Sequence, residues 1–87
     1  MNIDLLVKMV NEISAYFASE ADAEQAANDV AGHLRRYWEP RMRRQIIAYY
    51  GERQGAGLSD LALRGVGRLA ATEPPAAASG KVPPRNL

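Results

Sequence analysis

The sequence predicts an all-α protein, a small bundle of three to four helices followed by a Pro/Ala-rich C-terminal tail. Two patterns carry this prediction. Large apolar residues recur at three- and four-residue steps along successive segments. Those segments are separated by helix breakers and caps at Ser19-Glu20-Ala21-Asp22, Glu39-Pro40 and Gly55-Ala56-Gly57. Residues 1–72 read as one helical domain and residues 73–87 as an extended or disordered tail.

Each element has its own signature. Ile3, Leu6, Met9, Val10, Ile13, Tyr16 and Phe17 form one stripe of a first helix over 3–19, with Asn2 placed to cap it. The stripe is broad, which suits burial against more than one neighbour. Asp22 or Ser19 caps a second helix that reaches about Trp38, with Ala23, Ala27, Val30, Leu34 and Trp38 on its apolar face. Small residues at one end allow close helix approach, and the large ones fill space at the other. Proline fits a first helical turn and disfavours helix in the residue before it, so Glu39-Pro40 ends the second helix and opens a third over 40–53. That helix offers Met42, Ile46, Tyr49, Tyr50 and the stem of Arg53. Tyr49 and Tyr50 point to adjacent faces, so at most one is fully buried. Ser59 caps a fourth helix to about Thr72 with Leu58, Leu61, Ala62, Val66 and Leu69. Gly65 and Gly67 together lower its intrinsic stability by about 2 kcal/mol, so packing must sustain it.

Composition narrows the function. The chain has 87 residues, and its 47% hydrophobic content includes fifteen alanines, leaving twenty-six larger apolar side chains. A core of that size supplies only about 3–5 kcal/mol, and chains this small usually gain stability from disulfides, a metal or a partner. With no cysteine and one histidine, disulfides, thiolate zinc sites and iron–sulfur ligation are excluded. Association with another protein is the expected remedy. Asp4, Lys8 and Glu12 interrupt the first apolar stretch, so no signal peptide is read there. No run approaches the ~20 apolar residues of a membrane span, and a cytoplasmic location without membrane contact is expected.

The net charge of +1 hides an asymmetry. Residues 1–34 set one lysine against six carboxylates, a net −5, whereas residues 35–53 set six arginines against two glutamates, a net +4. An acidic half of this size does not suit a nucleic-acid wrapper; a local basic patch facing one carboxylate-bearing surface fits better. The candidate partner-binding run is Arg35, Arg36, Tyr37, Trp38, Glu39, Pro40, Arg41, Met42, Arg43 and Arg44. Arginine beside aromatic rings is the composition of a recognition surface. Arg35 and Arg36 sit where cations complement a helix C-terminus, which has a purely structural explanation. Arg41, Arg43 and Arg44 oppose the dipole at the start of the third helix by about 0.3–1 kcal/mol each, and such local conflicts mark functional surface. Trp38 continues the apolar stripe and Met42 is a gap filler, so core and interface are both open to them.

Other candidates carry less. His33 has no second histidine or cysteine to share a metal with. Gly55-Ala56-Gly57 follows no strand and precedes no Walker lysine, so it reads as a joint, not a phosphate cradle. The carboxylates are scattered and make no acid/base pair. No catalytic, cofactor-binding or metal site is expected in this chain.

The run His33-Leu34-Arg35-Arg36-Tyr37-Trp38-Glu39-Pro40-Arg41-Met42-Arg43-Arg44 resembles the small delta subunit of NAD-dependent, molybdenum-containing formate dehydrogenases. Leu6-Val7-Lys8-Met9-Val10-Asn11-Glu12-Ile13 and the Gly-Ala-Gly-Leu-Ser stretch at 55–59 are similar to that family as well, and the resemblance covers roughly residues 1–72. It implies a non-catalytic accessory subunit of a complex that oxidises formate to carbon dioxide and reduces NAD. In such a complex the alpha subunit carries molybdopterin guanine dinucleotide and iron–sulfur clusters, and beta and gamma subunits pass electrons through flavin mononucleotide (FMN) and further clusters. The resemblance implies docking on the alpha subunit in support of its assembly or stability. Two other readings compete: a transient chaperone for cofactor insertion, distinguished by its absence from the purified enzyme, and a small nucleic-acid-binding helical protein, distinguished by salt-sensitive binding.

Overall fold

The computed structural model describes residues 2–73. Four helices follow one another: α1 (Ile3–Phe17), α2 (Ala23–Tyr37), α3 (Pro40–Arg53) and α4 (Asp60–Thr72). Among the described residues there is no strand, so the chain is a small all-α bundle. The tail expected beyond Glu73 lies outside the described residues.

Local chemistry starts three of the helices. Asn2 Oδ1 accepts from the Asp4 amide at 2.8 Å, Asp22 Oδ1 from the Glu24 amide at 2.9 Å, and Ser59 Oγ from the Ala62 amide at 3.2 Å. Each thereby satisfies a donor that the first helical turn cannot pair internally. α3 differs: Glu39 makes no side-chain cap bond, and Pro40 opens the helix. α1 stops at Phe17, two residues short of the expected end, and the caps place α2 after Asp22 and not after Ser19.

α1 and α4 each pack against the other three helices, and α2 against α4 is the most extensive pairing. Leu6, Val10, Val30, Leu34, Ile46, Ile47, Val66 and Leu69 are fully enclosed between them. The expected apolar faces need three corrections. Ala23 is exposed, and Ala26 and Ala31 are buried in its place, because the α4 contact rotates the covered arc of α2. Arg53 is exposed while Ile47 joins the core. Tyr16 is 78% exposed although it continues the α1 stripe.

The glycines of α4 are contact points. A Cβ on Gly65 would lie 2.4 Å from Val30 Cγ1, and one on Gly67 would lie 2.9 Å from the Tyr50 hydroxyl oxygen. The loss in helix propensity is therefore offset by close approach of α2 and α3.

The α3–α4 turn places Gln54, Gly55 and Gly57 at positive φ, of 55°, 68° and 90°. Glycine is suited to that region, and the turn is held from outside. Tyr49 donates its hydroxyl hydrogen to the Ala56 carbonyl at 2.7 Å. From α1, Asn11 Nδ2 donates to the Gly57 carbonyl at 3.0 Å, and Asn11 Oδ1 accepts from the Ser59 amide at 2.8 Å. One side chain thus ties the first helix to the start of the fourth.

Ser14 is 2% exposed, and its hydroxyl has no hydrogen-bond partner among the described residues. Burying an unpaired hydroxyl is unfavourable. Ser14→Ala is expected to raise stability by roughly 1 kcal/mol, read from urea unfolding; a loss of stability would show that the hydroxyl is bonded.

Candidate protein-docking surface

The run from 33 to 44 spans the end of α2, a two-residue extended joint and the start of α3. Trp38 (φ −89°, ψ 141°) and Glu39 (φ −66°, ψ 155°) leave the helical region together. The Trp38 amide still donates to the Leu34 carbonyl at 3.0 Å, so the last turn of α2 closes before the chain bends. The Trp38 indole is only 6% exposed and packs into the core. Met42 packs against the same core and is partly buried.

Arg43 resolves its own conflict with the α3 dipole by turning back onto α2. Its Nη1 donates to the Trp38 carbonyl at 2.6 Å and to the Arg35 carbonyl at 3.3 Å, and its Nε pairs with Glu73 Oε1 at 2.7 Å. Positive charge therefore sits at the negative end of α2, where the dipole favours it. Arg35 Nη2 adds a bond to Thr72 Oγ1 at 3.0 Å. These bonds fasten the ends of α2 and α4 to the start of α3. Glu73, grouped with the tail on sequence, is part of this clasp. The side chains of Arg43, Trp38 and Met42 are thus directed inward, which for Trp38 and Met42 is the core alternative that the sequence left open.

What remains outward is Arg36, Tyr37, Glu39, Pro40, Arg41 and Arg44, together with the exposed Arg35. Tyr37 is 66% exposed. The guanidinium groups of Arg36, Arg41 and Arg44 have no partner among the described residues, whereas Arg68 pairs with Glu24 and Asn28. Arg41 and Arg44, three residues apart, share one face of α3.

Beside this ridge α1 and α2 enclose an open groove of about 700 Å³. Met9, Ile13, Tyr16 and Phe17 line it from α1, and His33, Tyr37 and Trp38 from α2, with Glu12 among them. Four rings run in contact across the two helices. Tyr16 meets Phe17 edge-on at 5.0 Å between centroids, Phe17 meets His33 at 6.1 Å, and His33 meets Tyr37 at 4.8 Å. Such spacings fall in the range where aromatic pairs attract beyond simple burial. Sequence reasoning placed Met9, Ile13, Tyr16 and Phe17 in the core; the breadth of the α1 stripe was the available sign that part of it stays uncovered. His33, read as a lone histidine, is the ring joining the two helices.

Among the described residues no group of three or more His, Cys, Asp or Glu could hold a metal ion, and no helix is long and apolar enough to cross a membrane. Fold and surface together define the class: a small helical protein whose distinctive chemistry is an aromatic groove beside an arginine ridge.

A family model described as NADH-dependant formate dehydrogenase delta subunit FdsD matches residues 5–66. The chain belongs to that family of formate dehydrogenase delta subunits. No curated protein and no solved structure matches it.

Proposed function

We propose that this chain is a non-catalytic subunit that docks on the cofactor-bearing alpha subunit of an NAD-dependent formate dehydrogenase in the cytoplasm, and supports its assembly or stability. The observation that carries the reading is the pair Arg41 and Arg44, two exposed cations near the positive end of α3 without partners among the described residues. An isolated fold gains nothing from them there, whereas a carboxylate-bearing neighbour does. Arg36 and Tyr37 extend the same contact, Tyr37 supplying rigid aromatic area and the arginines directional bonds. Binding only the assembled form of the large subunit shifts that subunit toward assembly by mass action.

On this reading molybdopterin guanine dinucleotide, the iron–sulfur clusters and FMN belong to the alpha, beta and gamma subunits. This chain has no cysteine and a single histidine, so it offers no ligand set for an iron–sulfur cluster.

The test is the double substitution Arg41→Glu with Arg44→Glu. Both side chains are exposed, so the helical circular dichroism should be retained. Like-charge contacts across an interface cost several kcal/mol, so co-purification with the alpha subunit should fall by roughly a hundredfold or more. A complete complex recovered from a correctly folded double variant would refute docking through this ridge.

A further inference from the structure

α3 is attached to the bundle differently from the other helices. α1, α2 and α4 each pack against the other two, so they close a core among themselves, and α3 lies against α1 and α4. Ile46 and Ile47 are the buried residues of α3, against five in α2 and four in α4. Its own helix is also poorly supported. Glu39 gives it no side-chain cap, no carboxylate occupies its first turn, and Arg41 and Arg44 stand at the positive end of its dipole. Gly51 lowers its propensity without a packing reason, since a Cβ there would meet nothing within 4 Å. A helix of 14 residues is marginal in isolation even with good propensities. At one end Trp38 and Glu39 are already extended, and at the other Gln54, Gly55 and Gly57 have positive φ.

We propose that α3 is a strap that opens and recloses as one unit on a persisting α1/α2/α4 core, with Arg43 as its latch. The bonds of Arg43 go to the Trp38 and Arg35 carbonyls and to Glu73, all outside α3, so they are lost together when the strap lifts. Melting α3 does not pull the core apart. Folded α3 bridges the end of α2 to the start of α4 over about 21 Å, at ~1.5 Å for each of its 14 residues. The roughly twenty residues from Trp38 to Leu58 span about 25 Å even when as compact as a glycine-rich linker.

Arg41 and Arg44 travel with the strap while Arg36 and Tyr37 stay with α2, so the ridge is complete only when the strap is closed. On the docking reading above, opening therefore removes part of the contact. The strap itself is a property of the free chain and stands without that reading.

Native-state hydrogen exchange on the full chain tests it, amide by amide, under conditions in which reclosing outruns exchange. Amides of 46–53 should share one protection factor, at least about tenfold below those of 30–34 and 65–69. Two substitutions separate a strap from global unfolding. Gly32→Ala lies in the core and acts equally on the open and closed forms. It should raise protection of 30–34 and 65–69 about fivefold, alanine's advantage over glycine in a helix, and leave 46–53 unchanged. Gly51→Ala strengthens the closed form alone, so it should raise both sets about fivefold. Neither methyl meets a neighbour within 4 Å, so both variants keep the fold. Should Gly32→Ala protect 46–53 as much as the core, the four helices open together and the strap does not exist. A gradient of protection from the ends of α3, with Gly51→Ala acting only on nearby amides, would mean fraying and overturn the inference equally. Co-purification with the alpha subunit plays no part in these readouts, so docking and strap fail separately.

Discussion

Arg43→Ala is expected to lower the unfolding free energy by about 2–3 kcal/mol, most of what a core this size supplies. The side chain makes one ion pair and two carbonyl bonds from a position where it is 17% exposed, and Glu73 opposite is 26% exposed. Bonds to charged groups are worth roughly 1.5–3 kcal/mol each when enclosed, and partial solvent access at Glu73 trims that value. Truncation also leaves the Trp38 carbonyl without its 2.6 Å donor. Arg43→Lys should recover little, since an ammonium lacks the planar fork that spans a carboxylate and two carbonyls together. The control is Arg44→Ala, an exposed cation on the same helix whose loss should stay within about 0.5 kcal/mol. Urea midpoints decide: if the two alanine variants unfold together, the clasp does not hold the helices.

Gly65→Ala should destabilise, against its helix propensity. An alanine in a helix is favoured over glycine by about 1 kcal/mol. Here the new methyl would sit 2.4 Å from Val30 Cγ1 and 2.7 Å from Val30 Cβ. Val30 is fully buried and β-branched, so its χ1 has one strongly preferred well in a helix and the side chain does not rotate aside. The helices must separate or strain, at about 1–3 kcal/mol, leaving a net loss of roughly 1–2. A matching substitution isolates the cause. Gly32→Ala, whose methyl would meet nothing within 4 Å, should keep the gain of about 1 kcal/mol. In a double-mutant cycle, Val30→Ala should relieve Gly65→Ala by about 1–2 kcal/mol. Additive effects would mean that the α2–α4 approach is not limiting.

These two cases show where sequence and structure part. The all-helical class and the boundaries near Pro40 and Ser59 follow from local chemistry, because a cap or a proline acts on the backbone within one turn. Gly65 and Gly67 were legible as a propensity defect, but not as close-approach sites, since that depends on which helix lies opposite. The arginine run had the same ambiguity. Charge against a helix dipole is local and visible at Arg41, Arg43 and Arg44 alike. Whether a long side chain can reach another helix end is not, and among the described residues Arg43 is the one of these three that does so. Asn11 shows the converse. It lies in the segment that resembles the family, with no local reason for its identity, yet it bridges 46 and 48 residues of chain to Gly57 and Ser59. Arg36, Tyr37, Arg41 and Arg44 face outward, and the ring row beside them joins Tyr16 and Phe17, α1 residues assigned to the core, to His33 and Tyr37 of α2.

By itself the sequence determined that three to four helices form and where three of them begin, the charge division between the halves, and the lack of cysteine chemistry. Those properties depend on residues within a turn of each other, or on composition. Only the tertiary structure decided which arginines are clasped and which are free, which glycines are contact points, and which part of the α1 stripe is left open as a groove. Each of those depends on the face a helix turns toward a neighbour distant in the chain, a relation that no local pattern encodes.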